Sequence, residues 1–217
     1  MRLAIFLNKK IDNSKFRDLL VPISLLLILL IYSAIFSPRL FTSGGLASAL
    51  IVTTPLILLT LSITPIAIVG RGGVDLAVGP LMGFINVTLV QYLFGYGIES
   101  PIIIFAYCIF LGVAYQIIQA IIIIFIRVSP IIVSLSSYLI LSGLNLVVMP
   151  RASGVAPMWM SDWGYGTTVN SPIAYLLLIA ILLWFLISKT TFYKQIILTG
   201  SDERASFVSG VRINTAR

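Results

Sequence analysis

Six apolar stretches, each about as long as a bilayer is thick, follow one another along this chain. They cover about Leu19–Phe36, Leu46–Val69, Leu76–Phe94, Pro101–Ile126, Pro130–Met149 and Pro172–Ser188. A helix needs roughly 20 mostly apolar residues to cross a hydrocarbon layer ~30 Å thick. In lipid every backbone N–H and C=O must find a partner within the protein, which restricts spanning segments to helices and closed barrels. The expected fold class is therefore all-α, a polytopic helical membrane protein with about six transmembrane helices. Composition agrees, with 59% hydrophobic and only 10% charged residues. A soluble domain carries roughly 25% charged residues, and this chain lacks the polar surface to cover a globule.

The breaks between runs carry recognisable signals. Ser37-Pro38-Arg39 closes the first run and Ser43-Gly44-Gly45 opens the second. A glycine turn opens the third, Arg127 ends the fourth, Pro150-Arg151 the fifth and Lys189 the sixth. Pro101, Pro130 and Pro172 sit where a first helical turn tolerates proline.

The net charge is +7, from 14 Lys and Arg against 7 Asp and Glu. These cations form no basic face interleaved with aromatics, so nucleic acid is excluded as a partner. They lie in the short connections between runs. With the N-terminus inside, twelve of the 14 fall on the cytoplasmic side, leaving only Arg39 and Arg151 outside. The positive-inside rule thus places both termini in the cytoplasm. The chain divides into a basic cytoplasmic segment (1–18), a transmembrane domain (19–188) and a cytoplasmic tail (189–217). The long first run lacks a small-x-small cleavage pattern after it, so it reads as an uncleaved helix and not a signal peptide.

Chemistry is sparse. Histidine is absent, which removes His-based acid–base catalysis and His metal ligands. The single cysteine, Cys108, lies inside an apolar run and reads as a buried, inert thiol. No catalytic constellation and no metal site is expected. A P-loop of the Gly-x-x-x-x-Gly-Lys-Ser/Thr type is also missing, so no cofactor is expected on this chain and any ATP and Mg must act on another.

Between the second and third runs stands Gly-Arg-Gly-Gly-Val-Asp-Leu-Ala-Val-Gly, residues 70–79. Such a turn between bilayer-length segments points to a transporter core. Two readings of Asp75 stand. It caps a turn at a helix N-terminus, worth roughly 0.3–1 kcal/mol, with Arg71 as a partner. Alternatively it lies deep in the bilayer at a cost of ~2.5–3.5 kcal/mol, which only function would explain.

Neutral polar residues recur within the runs. The second carries Thr53, Thr54, Pro55, Thr60, Ser62, Thr64 and Pro65, and interior prolines free carbonyls and bend helices. The third carries Asn86, Thr88 and Gln91, and the fourth Gln116 and Gln119. The fifth places Ser134, Tyr138, Ser142 and Asn145 on one helical face. Such groups suit an uncharged polyol or sugar better than an ion, while interhelical hydrogen bonding gives a similar pattern. Asn86-Val87-Thr88 matches a glycosylation sequon but lies inside a run, so it reads as a chance match. The external loop Pro150–Ser171 holds Trp159, Trp163 and Tyr165, either an interfacial belt or a docking surface. In the tail, Ser201-Asp202-Glu203-Arg204-Ala205 looks like a helix start and Gly210 its end.

Gly72-Gly73-Val74-Asp75-Leu76-Ala77-Val78-Gly79 resembles the Gly-Gly-Ile-Asp-Leu-Ser-Val-Gly signature of ribose-type sugar ABC transporter permeases, with Ala77 in place of Ser. Ser129-Pro130-Ile131-Ile132-Val133-Ser134-Leu135 resembles the segment that opens that family's fifth span. Gly200-Ser201-Asp202-Glu203-Arg204-Ala205-Ser206, continuing to Gly210-Val211, resembles its cytoplasmic loop Gly-x-Asn-Glu-x-Ala-Ala-x-x-Ser-Gly-Ile, with Ser206 in place of the second Ala. The resemblance implies the permease subunit of an ATP-driven sugar importer in the bacterial inner membrane. It implies an ATP-binding cassette ATPase, an external sugar-binding protein and a second permease copy or homologue as partners. Under it, Gly200, Glu203, Ala205 and Gly210 carry coupling to the ATPase, and Gly72, Gly73, Asp75 and Gly79 shape the path or gate. Thr53, Thr54, Asn86, Gln116, Gln119, Ser134, Tyr138 and Asn145 are the candidate sugar-path residues. Permeases of this kind continue with more helices and a second glycine-rich region, so the chain reads as C-terminally truncated. The rival expectations are an ion-coupled secondary transporter and a permease remnant that inserts without transporting.

Overall fold

The computed structural model describes residues 13–69, 73–164 and 171–211. Among them helices are the only regular elements. Helix α1 spans Asn13–Phe36 and is followed by a tight 3-10 turn, Pro38–Phe41, then α2, Ser43–Val69. Helix α3, Val78–Thr88, continues through a π turn (Leu89–Leu93) and a 3-10 turn (Phe94–Tyr96). Helix α4, Pro101–Ile121, also ends in a π turn, Ile122–Ile126, and α5 is Pro130–Val148. A short α6, Met158–Gly164, lies in the next connection; α7 is Pro172–Lys189, α8 Thr191–Ser201 and α9 Glu203–Val208.

Six of these helical stretches are long and apolar enough to cross a membrane: Leu19–Phe36, Ser43–Val69, Val78–Tyr96, Pro101–Ile126, Pro130–Val148 and Pro172–Lys189. The first and fourth match expectation at both ends, and the other four differ by one to three residues at one or both ends. The third starts at Val78 and not Leu76, because residues 73–77 form a non-helical turn closed by the Asp75 side chain. The second starts at Ser43, where Thr42 caps it: the Thr42 hydroxyl accepts from the Gly45 amide at 3.3 Å. Helix α1 reaches back to Asn13, into the segment expected to precede the membrane. At 27 residues α2 is about 40 Å long, longer than the hydrocarbon layer, and must tilt or project beyond it.

Pro55 and Pro65 do not break α2, which is one continuous helix. The hydroxyls around them bond back to their own helix: Thr53 to the Ala49 carbonyl, Thr54 to Leu50, Thr60 to Leu56 and Thr64 to Thr60, at 2.6–2.8 Å. These residues satisfy themselves locally, so no broken helix forms here as a substrate path.

The helices pack in two groups. Helix α3 lies along α5 and against α4, around a core of Ala77, Leu81 and Leu141 with Phe84, Ile85 and Tyr115. A second core, Leu89, Leu93 and Ile104, is covered by Phe94, Tyr107, Cys108 and Trp159. Helix α2 packs instead on α7 and α8. Elsewhere the large apolar side chains face outward, and the apolar window of α1 has no buried residue. Such outer faces are what lipid or further helices cover.

Candidate functional site: a buried turn between three helices

The site begins with the non-helical segment 73–77 that leads into α3. Burial alternates along it: Gly73, Asp75 and Ala77 point inward, Val74 and Leu76 outward, as in a strand. Asp75 is 5% exposed. Its Oδ1 accepts from the Ala77 amide at 2.9 Å, the i to i+2 turn that Asp readily forms. That closes the entry to α3, whose first backbone bond runs from the Leu81 amide to the Ala77 carbonyl. The other oxygen, Oδ2, accepts from Gln116 Nε2 of α4 at 3.3 Å.

Helix α5 holds the same segment from another side. The Ser134 hydroxyl, 2% exposed as a residue, donates to the Val74 carbonyl at 3.0 Å. Three turns further along, Asn145 Nδ2 donates to the Pro80 carbonyl at 3.1 Å. Asn145 Oδ1 is buried and has no protein partner. Beside Gln116 on α4, buried Gln119 donates through Nε2 to the Tyr115 hydroxyl, which also shares a hydrogen bond with Ser137 of α5. One carboxylate and several neutral donors and acceptors from three helices therefore converge on a turn lodged among apolar side chains. Buried polar groups of this kind are retained only when paired, and nearly all of these are.

Four of the candidate path residues, Gln116, Gln119, Ser134 and Asn145, join this cluster. The others do not. Thr53, Asn86 and Tyr138 are exposed on the outside of their helices, and buried Thr54 sits on α2, away from α3 and α5. The shared face expected for Ser134, Tyr138 and Asn145 is therefore split: Ser134 is buried while Tyr138 is 43% exposed. Tyr115 and Ser137 escaped notice in the sequence. Tyr115 stands four residues before Gln119, the one signal available. Of the glycines of the turn, Gly73 is buried, a Cβ on Gly79 would meet nothing within 4 Å, and Gly72 lies outside the described residues, as does Arg71. Among the described residues no group of three or more His, Cys, Asp and Glu is placed to hold a metal.

The tail has its own construction. Thr190 turns the chain between α7 and α8, its hydroxyl accepting from the Tyr193 amide at 3.3 Å, and Trp184 meets Tyr193 edge-on at 5.7 Å. Helix α8 was not expected from the sequence. The expected tail helix is α9, and Asp202 Oδ1 accepts from the Ala205 amide at 3.1 Å to cap it. Gly210 ends it with φ +84°, its amide bonded to the Phe207 carbonyl and that of Val211 to Ser206, a Schellman closure. Ala205 is exposed; Glu203 opens the helix through its backbone, and its side chain lies outside what is described. Gly210→Val is expected to weaken this closure by about 1–2 kcal/mol, the cost of a left-handed conformation for an L side chain. Faster hydrogen exchange at the Gly210-equivalent and Val211 amides, with that of α7 unchanged, is the check.

On the opposite end, α6 folds over the α3–α4 connection. Trp159 Nε1 donates to the Glu99 carbonyl at 3.0 Å, Trp159 and Trp163 stack edge-on at 5.1 Å, and Trp163 faces Phe105 at 6.3 Å. These aromatics pack on the protein's own helices. Tyr165 lies outside the described residues.

No family model matches the chain, and no solved structure matches it. In sequence it is similar to the Autoinducer 2 import system permease protein LsrD of Escherichia coli (strain K12), 24% identical over 156 residues. It is equally similar to the LsrD protein of Shigella flexneri, the match covering 68% of this chain and 47% of the relative. The chain thus spans just under half the length of the curated relatives it matches.

Proposed function

We propose, from this distant homology to an importer permease and from the buried turn, that the chain is a membrane-spanning permease subunit of an ATP-driven importer. Its substrate class is a monosaccharide or a related carbohydrate, argued from the neutral hydrogen-bonding groups around the turn. The chain is a multi-pass membrane subunit and not an enzyme; ATP and Mg belong to a separate cassette ATPase. An external binding protein delivers the substrate, a second permease copy or homologue completes the pathway, and the complex sits in a bacterial inner membrane. The basic connections orient both termini to the cytoplasm, where α8 and α9 meet the ATPase.

The observation that carries the reading is the Asp75 turn. A path for a neutral polyol needs donors and acceptors held open by rigid backbone, and discontinuous segments between spanning helices supply them. Here residues 73–77 are such a segment; Gln116 and Ser134 hold it, and Asn145 holds the start of α3 beside it. The burial of Asp75 also favours a second reading, an ion-coupled transporter, since an acidic group beside a spanning helix is what ion coupling requires. One Asp75 oxygen closes the turn and the other accepts from Gln116 of α4, which favours the first.

Extraction from native membranes in mild detergent, followed by mass spectrometry, tests the importer reading. A P-loop ATPase is expected to co-purify, and an intact mass above 23.7 kDa would identify a longer native chain. Failure to recover an ATPase, with uptake collapsing under a protonophore at constant ATP, would establish ion coupling instead. No ATPase and no uptake would mark a remnant that only inserts.

A further inference from the structure

Two contacts fix how α8 lies. Near its start, Tyr193 meets Trp184 of α7 edge-on at 5.7 Å. At its end, Gly200 lies so close to the Ile68 carbonyl of α2 that no Cβ fits between them. Both partners stand near the ends of spanning helices, at Lys189 and Val69, on the same side of the bilayer. At 11 residues α8 is about 16 Å long, so it runs across these two ends at the level of the headgroups. One side of it is spent on the protein, with Ile196 and Thr199 buried. The other side is apolar as well, and there Phe192, Ile197 and Leu198 are exposed. The cations of this corner lie on the outer surface too. Lys189 Nζ sits 4.9 Å from the centre of the Phe185 ring, four residues back on α7, and Phe185 is exposed on the outside of that span. The ammonium is thereby held along the flank of α7 and not extended away from the bilayer. Lys194 is exposed on α8. No Asp or Glu occurs from Pro172 to Ser201, and Asp202, at the far end of α8, caps α9.

We propose that the α7–α8 corner is a binding surface for anionic lipid headgroups. Lys189 and Lys194 take the headgroup phosphate, while Phe185, Phe192, Ile197 and Leu198 rest against the acyl chains beside it. A soluble anion would satisfy the lysines and leave the apolar side of α8 in water; an anionic lipid satisfies both at once. Trp184 and Tyr193 add the amphipathic rings that favour this depth. The inference rests on the proposed reading only for the cytoplasmic placement of the corner, since that leaflet carries the anionic lipids. Helix α9, with Phe207 and Val208 exposed, remains for the ATPase of that reading.

The test uses the full chain in mild detergent, mixed with equal amounts of phosphatidylglycerol and phosphatidylcholine bearing the same acyl chains. Native mass spectrometry reads how much of each lipid stays bound. Phosphatidylglycerol is expected to be retained about fivefold or more over phosphatidylcholine, the scale of one lysine beside an anionic surface. The double variant Lys189→Gln, Lys194→Gln is expected to bring that ratio close to one. Arg127→Gln, which removes an exposed cation at the end of α4, is expected to leave it unchanged. All three side chains are exposed, and circular dichroism of each variant checks that its helices are intact. Equal retention of the two lipids by the native chain overturns the proposal, as does a preference that survives in the double variant. If the double variant keeps the lipid preference and loses a co-purifying ATPase, the lysines belong to the protein partner and the lipid site falls. The measurement needs neither ATPase nor substrate. A flat result therefore removes the lipid site and leaves the importer reading to the co-purification experiment. A lysine-dependent preference without a co-purifying ATPase keeps the lipid site and removes the importer.

Discussion

Asp75→Ala is expected to abolish uptake, while Asp75→Asn is expected to retain a substantial part of it. The alanine variant strands two buried donors, the Ala77 amide and Gln116 Nε2, both bonded to the carboxylate in the native protein. Each buried polar group left unpaired costs about 1–3 kcal/mol. The segment 73–77 loses its tie to α4 and the entry to α3 loses its closure, so the melting temperature of the detergent-solubilised chain should fall as well. Asparagine removes the charge and keeps the geometry. Its Oδ1 can still accept from Ala77, and a rotated Gln116 amide can present its oxygen to the new Nδ2. Stability close to the native chain is therefore expected for Asp75→Asn. If Asp75 shapes a path for a neutral molecule, transport of a labelled monosaccharide panel should follow stability across the pair. If it carries an ion, Asn should be as dead as Ala while melting like the native protein, and the importer reading would fail on that outcome.

The spanning helices were legible because their signal is local: a run of apolar residues of a given length, with proline or glycine at its edges. The third helix departed from it at its start, where the Asp75 turn keeps Leu76 and Ala77 out of the helix although both are apolar. The sorting of polar side chains was far less legible. On a soluble helix, polar residues mark the outside. In a membrane both the interior and the lipid-facing surface are apolar, so hydropathy contrast does not say which face is inward. Ser134 and Tyr138, one turn apart, illustrate this: one is buried against the Val74 carbonyl and the other is exposed. Thr53 and Thr54 show a related limit. Their hydroxyls bond to carbonyls of their own helix, a partner available to any helical threonine, so their presence carried no information about a path. The tail's Asp202 and Gly210 were legible because caps are local. The close approach of Gly200 to α2 was not, because its partner, Ile68, lies far away in the sequence and contributes a backbone oxygen that no side-chain pattern encodes.

Gly45 should prove far less replaceable than its neighbour Gly44. The two open α2 side by side, and sequence gives no reason to separate them. A Cβ on Gly45 would stand 2.2 Å from the Arg39 carbonyl oxygen and 2.6 Å from that of Leu40. Both belong to the 3-10 turn that reverses the chain between α1 and α2, and neither can swing aside as a side-chain tip would. On Gly44 a Cβ meets nothing within 4 Å. Gly45→Ala is therefore expected to cost about 3 kcal/mol or more, at the upper end of what overpacking costs. Gly44→Ala is expected to be neutral or to gain up to about 1 kcal/mol from helix propensity. Melting of the two variants in detergent is the direct comparison. Equal melting temperatures would mean that the corner between α1 and α2 is not built on this contact.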